Sequence, residues 1–220
     1  MQSVDYDLAA IRACETLIKY DVTAAPVSPL RMLKETENVI VLSFAEIAFK
    51  TRINRTHVIS TFGASNQDAV TTVIDENGKL TYFVAYNQRL PYYVSQRALA
   101  RELGHIVMLH DGSRSEDVRI EEAEAFARHL LCPRALIRSL KEENVKLTAE
   151  IIGNISGCYE RCLINMSRTP GAHVPLELNR QIKVQFAEYV KNYVEFYNAV
   201  TIEDYSALAD FGTYMDNYVD

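Results

Sequence analysis

The stretch Ser95-Gln96-Arg97-Ala98-Leu99-Ala100-Arg101-Glu102-Leu103-Gly104-His105-Ile106-Val107 decides how the chain is read. Leu99, Leu103, Ile106 and Val107 fall on one stripe at helical spacing, so a helix is predicted from about Ser95. Asp111-Gly112-Ser113 then turns the chain. A second helix is predicted from Glu116 to Leu131. It stops at Pro133, because the residue before a proline is driven out of the helical region.

Upstream of this helix pair the pattern is different. Asp68 to Ile74 and Leu80 to Tyr86 are rich in β-branched and aromatic residues, and Asp75-Glu76-Asn77-Gly78 lies between them. Asn-Gly is a strong hairpin signal, so a small antiparallel sheet is expected there. Val39 to Leu42 is a further strand candidate. Leu8, Ile11, Leu17 and Ile18 mark an amphipathic first helix between Asp5 and Tyr20, and Ser28-Pro29 starts a short one. Downstream everything reads helical: Ala135 to Leu140, Thr148 to Ile152, Cys158 to Ile164, and Leu176 to about Tyr197, with a break at Thr169-Pro170-Gly171. The fold class is α+β, a short sheet with paired helices followed by an all-helical region. The domain division expected is 1–140 and 141–220.

The chain has 220 residues, with 23 Lys+Arg against 29 Asp+Glu and a net charge of −6. It is 48% hydrophobic and 24% charged, a globular balance that excludes a disordered chain. Such a length buries a core without disulfide or metal staples. The acidic balance argues against nucleic acid as a partner. No run approaches the ~18 apolar residues of a membrane span. Met1 to Ala10 carries Asp5 and Asp7 and lacks a signal-peptide pattern, so a cytoplasmic location without a membrane partner is expected. Cys14, Cys132, Cys158 and Cys162 contain no Cys-x-x-Cys and read as buried, reduced thiols.

The chemistry is concentrated in Arg101-Glu102-Leu103-Gly104-His105. A zinc-peptidase helix carries His-Glu-x-x-His. Its histidines lie one turn apart so that both imidazoles reach one metal, and its glutamate moves the proton of the metal-bound water. Here Glu102 and His105 stand in place, and the first histidine position holds Arg101. The second helix adds Glu121-Glu122-Ala123-Glu124-Ala125-Phe126-Ala127 and then Leu130-Leu131-Cys132-Pro133.

Glu-Leu-Gly-His, then Leu109-His110-Asp111, then Glu-Ala-x-x-Phe-Ala with Leu-Leu-x-Pro together resemble the ImmA/IrrE family of metallopeptidases. Pro26-Val27-Ser28-Pro29, the Asp68 strand and Ala85-Tyr86-Asn87 fit as well, so the resemblance spans roughly residues 5 to 140. It implies a zincin-like core in an intracellular endopeptidase-like protein. It also implies zinc as cofactor if the protein is active, and a link to mobile elements, where family members cleave a cognate repressor.

The departures from the family are as informative as the match. A guanidinium stays protonated and offers no lone pair, so Arg101 cannot be a ligand and brings charge to the place of a dication. The family pattern has glutamates six and four residues before the Phe, and here those positions hold Ile120 and Glu122. Glu122 is either the third ligand or the partner of Arg101, with Glu121 as the alternative in each role. His105 is either a residual metal contact or a satisfied core histidine. His110, off the same face, reads as a helix-end or cleft-wall residue. His57, His129 and His173 read as surface or structural. The aromatic stripe Phe186, Tyr189, Tyr193 and Phe196 reads as core or oligomer contact. A helix-turn-helix reading of Leu147 to Met166 is weak, since Arg161 and Arg168 are offset by Glu150 and Glu160.

Two functions follow. In the first, zinc catalysis is lost and the cleft binds a regulatory protein, such as a mobile-element repressor. In the second, a zinc endopeptidase survives with altered ligation, with Glu102 as general base and His105 and Glu122 as ligands.

Overall fold

Asp5 starts the first helix. Its carboxylate accepts the Leu8 N–H at 2.8 Å, which makes it the N-cap of α1 (Tyr6–Lys19). Ser28 caps α2 (Pro29–Glu35), whose proline occupies the first helical turn. The computed structural model describes residues 3–62, 68–110, 113–158 and 172–199. Strand β1 (Val39–Ser43) runs directly into α3 (Phe44–Thr51). Ser43 and Glu46 form a capping box there, each side chain bonded to the other's backbone N–H. Helix α4 (Arg55–Phe62) follows.

Strands β2 (Ala69–Glu76) and β3 (Lys79–Tyr86) form the expected hairpin. Asn77 and Gly78 turn it with φ of 57° and 82°. Two positive φ values define the turn whose twist matches the strands, and glycine reaches that region without strain. The sheet order is β1-β3-β2, with β1 parallel to β3, so the sheet is mixed rather than antiparallel. The connection from β1 back to β3 passes through α3, α4 and β2, ample for a parallel return. The hairpin signal covered only the second and third strands.

Val84 of β3 faces the main core, and its neighbour Ala85 faces a smaller cluster with Phe44, Ile47 and Val58. On the main face lie α5 (Tyr92–Val107) and α6 (Glu116–Leu131). Leu99, Leu103 and Ile106 of the expected stripe are buried, with Val107 at its margin. A Cβ at Gly104 would lie 3.0 Å from Phe126 Cδ1 and 3.2 Å from Ala123 Cα, so a side-chain-free residue sets how closely the two helices approach. Behind them come α7 (Arg134–Glu142), α8 (Ala149–Ser156), α9 (Leu176–Gln185) and α10 (Ala187–Ala199).

One hydrophobic cluster joins Leu17, Met32, Leu103, Phe126, Leu136 and Phe186. The tail predicted as a single helix is two, divided at Phe186. That ring is fully buried, while backbone hydrogen bonds continue on both sides of it. Tyr189 and Tyr193 pack against the core and Phe196 is exposed, so the aromatic stripe is buried at one end only. The readings for Cys158 to Ile164, the Thr169 break, Asp111-Gly112 and most of the helix-turn-helix segment lie outside the described residues. No described helix is long and apolar enough to cross a membrane.

Candidate functional site

Helix α5 brings Arg101, Glu102 and His105 to the wall of a cavity of about 430 Å³. Strand β2 forms the opposite wall and the start of α6 closes one end. Glu102 is buried, and its Oε2 accepts the Thr71 hydroxyl at 2.8 Å. Burial raises its carboxyl above the ordinary value, against the Thr71 hydrogen bond and the Arg101 charge, which lower it.

The end of α5 places a residue that spacing alone does not. Leu109 takes φ 54°, the left-handed conformation that closes a helix. Leu109 N–H then bonds Ile106 O, and His110 N–H bonds His105 O, each at 3.1 Å. This Schellman closure folds His110 back over the last turn. Its Nδ1 lies 2.8 Å from His105 Nδ1, and its Nε2 lies 3.1 Å from Glu122 Oε2. Burial, then the charges of His110, Arg101 and Arg119, push His105 down to about 4. His110 is likewise lowered by burial, with Glu122 acting against it. Both rings are therefore neutral at pH 7. A carboxylate can only accept, so His110 donates Nε2–H to Glu122 and receives Nδ1–H from His105.

Glu122 is fully buried and richly partnered. Oε1 accepts the Asp5 N–H at 3.0 Å and an Arg114 guanidinium hydrogen bond, while Oε2 takes His110. The carboxylate ties the start of α1, the loop before α6 and the end of α5 together. Arg101 does not pair with Glu122 or Glu121. Its Nη1 donates to Glu124 Oε1 at 3.3 Å, and its Nε lies 3.7 Å from Glu102 Oε1. Arg97 holds the other Glu124 oxygen at 2.9 Å. The reason is helical geometry. Residues 122 and 124 lie on nearly opposite sides of α6, so only Glu124 meets the face of α5 that carries Arg97 and Arg101.

The donors expected for zinc do not converge on one point. Glu122 and His105 meet through the His110 ring, not at a point, and both Glu122 oxygens are engaged. Arg101 has no lone pair to give. No group of three His, Cys, Asp or Glu donors able to hold a metal occurs among the described residues. The arrangement does not fit the three-ligand zinc centre expected of the motif.

What the site does offer is a strand edge. Asn87 N–H donates to Asp68 O at 2.9 Å, which makes 68 and 87 a hydrogen-bonded pair in the ladder. Alternate residues of an antiparallel strand face opposite ways. The main-chain groups of Ala69, Thr71 and Val73 therefore point away from β3, along the cavity. The sequence placed His110 at the helix end or cleft wall, where it lies, but did not single out Thr71, Arg114 or Arg119 as site residues. Leu at the left-handed position of the helix end gives no signal, because glycine is the residue expected there.

Residues 53–154 match the family model of the IrrE N-terminal-like domain, peptidase M78. No curated protein and no solved structure matches the chain. The matched stretch holds β2, β3, α5, α6 and every residue that lines the cavity. Residues 53–154 thus carry the likeness of this chain to the ImmA/IrrE family.

Proposed function

We propose that this ImmA/IrrE-like protein works without zinc catalysis, as a regulatory module that binds an extended segment of a partner protein. The segment lies between β2 and α5 in a zincin-like core. The partner the resemblance suggests is a transcriptional repressor of a mobile element. The peptidase-like unit is drawn at residues 1–140 and the helical region at 141–220.

The observation that carries this reading is the His110 ring between His105 and Glu122, together with Arg101 in the first ligand position. Peptide hydrolysis on this motif needs a metal to polarise the carbonyl and the water. Main-chain pairing to a strand edge that no described strand covers needs none.

The test uses the full chain purified without chelator. Zinc is measured by mass spectrometry, and the protein is incubated with the repressor encoded beside its gene, with zinc or with chelator. We expect well under one zinc per chain, no cleavage, and co-elution with the repressor. Chelator-sensitive cleavage that Glu102→Gln also abolishes would overturn the reading. It would favour the second one, an active endopeptidase with altered ligation. What speaks for that alternative is that Glu102 and His105 keep the motif's places on the cavity wall.

A further inference from the structure

We propose that the cleft recognises an acidic side chain of the bound strand, and that Arg119 is the residue that reads it. The inference rests on the peptide-groove reading above and names the chemistry of the occupant. Arg119 sits on the first turns of α6, which close one end of the cavity, and lines it there. Its Nε is buried and has no hydrogen-bond partner among the described residues. Its positive charge helps to lower both His105 and His110, so the guanidinium lies within electrostatic reach of both rings.

Other cations near the site are occupied: Arg101 by Glu124 and Glu102, and Arg114 by Glu122. A guanidinium presents five donors in a fixed fork, and leaving its buried Nε–H unpaired is costly. A carboxylate is the group that matches the fork, with two parallel hydrogen bonds. Asp68 and Glu116 line the same cavity, and neither is paired with Arg119. They repel any acid placed elsewhere in the groove, so acidity is accepted at one position only. The chain's own charge of −6 gives a generally acidic peptide no long-range attraction. The partner is therefore a strand with one well-placed Asp or Glu, not a polyanion.

The test is a random heptapeptide display library selected on the full chain and on two variants. Arg119→Gln removes the reader. Val73→Pro removes an outward N–H of β2 without touching the β3 ladder, as edge strands tolerate. Melting curves confirm that each variant is folded. We expect wild type to enrich Asp or Glu at a single position. Changing that Glu to Gln in the resynthesised peptide should weaken binding roughly tenfold on wild type and within about twofold on Arg119→Gln. The peptide substitution needs no protein variant, so the prediction survives a misfolded Arg119→Gln.

Selected peptides without an acidic position, or a Glu-to-Gln loss that persists on Arg119→Gln, would overturn this inference and leave the groove standing. No enrichment at all, or enrichment indifferent to Val73→Pro, would overturn the groove and the inference together.

Discussion

Glu102 is held between α5 and β2, and its one short hydrogen bond comes from a hydroxyl, not a cation. Its folded carboxyl binds protons more tightly than the unfolded one. The fold therefore holds extra protons above the ordinary value, and this group's contribution to stability falls as pH rises through its folded value. Glu102→Gln keeps an acceptor for Thr71 and removes the ionisation. We expect it to stabilise the protein by about 0.5–2 kcal/mol at pH 7 and by nothing near pH 4. Urea midpoints at the two pH values check this, and a loss at pH 7 would show that the carboxylate is needed for folding. The other site residues show where the sequence was legible. Arg101, Glu102 and His105 share one α5 wall, as one-turn spacing requires. Glu122 was visible as a glutamate of the second helix, but not as a tie to Asp5 and Arg114. Those partners come from a chain start 117 residues away and from a loop whose path no periodicity encodes.

Helices α5 and α6 cross where Gly104 meets Ala123 and Phe126. In an isolated helix, Gly→Ala gains about 1 kcal/mol of propensity. Here the new methyl would face the Ala123 backbone, which cannot rotate aside, and overpacking costs about 1–3 kcal/mol. We expect Gly104→Ala to lower the thermal midpoint and move the α5 wall away from α6. A melting curve with an unchanged or higher midpoint would mean the crossing relaxes freely. Elements with strong local signals were legible: the Asn77-Gly78 hairpin, α6 ending at Pro133, and α2 behind Ser28-Pro29. Helices α3 and α4 were not read, although Ser43-x-x-Glu46 is a capping-box signature. The box sits on the last residue of a strand, where β-branched neighbours mask it. The parallel pairing of β1 with β3 was illegible for another reason: each strand carries its apolar pattern, and neither records its partner.

Over the whole molecule, acid should act mainly through buried histidines. His129 is 3% exposed, and burial, then Arg134 and Arg128, push it down to about 3. An imidazole whose folded value lies below its unfolded one binds more protons when unfolded, so stability is lost as pH falls below about 6.5. At pH 5 this one ring removes about 2 kcal/mol, with His105 acting in the same direction. Urea midpoints at pH 7 and pH 5 should fall accordingly, and His129→Gln should flatten the difference even where it lowers both values. An equal slope in the variant would place the acid sensitivity elsewhere.

The same scale shows how α1 is fastened. Asp5 N–H reaches Glu122, the Asp7 carboxylate takes His173 N–H, and the Gln185 amide bonds the carbonyls of Leu17 and Val22. The last of these joins residues 168 apart at Leu17. On a ribosome adding about 5–20 residues per second, the apolar face of α1 would wait roughly 10–30 s for its final partners. During that interval the part of α1 that packs on α9 stays uncovered, while α6 already covers the rest. A chaperone that holds exposed apolar helices would shield α1 over that interval, and slowing translation beyond α8 would lengthen the exposure.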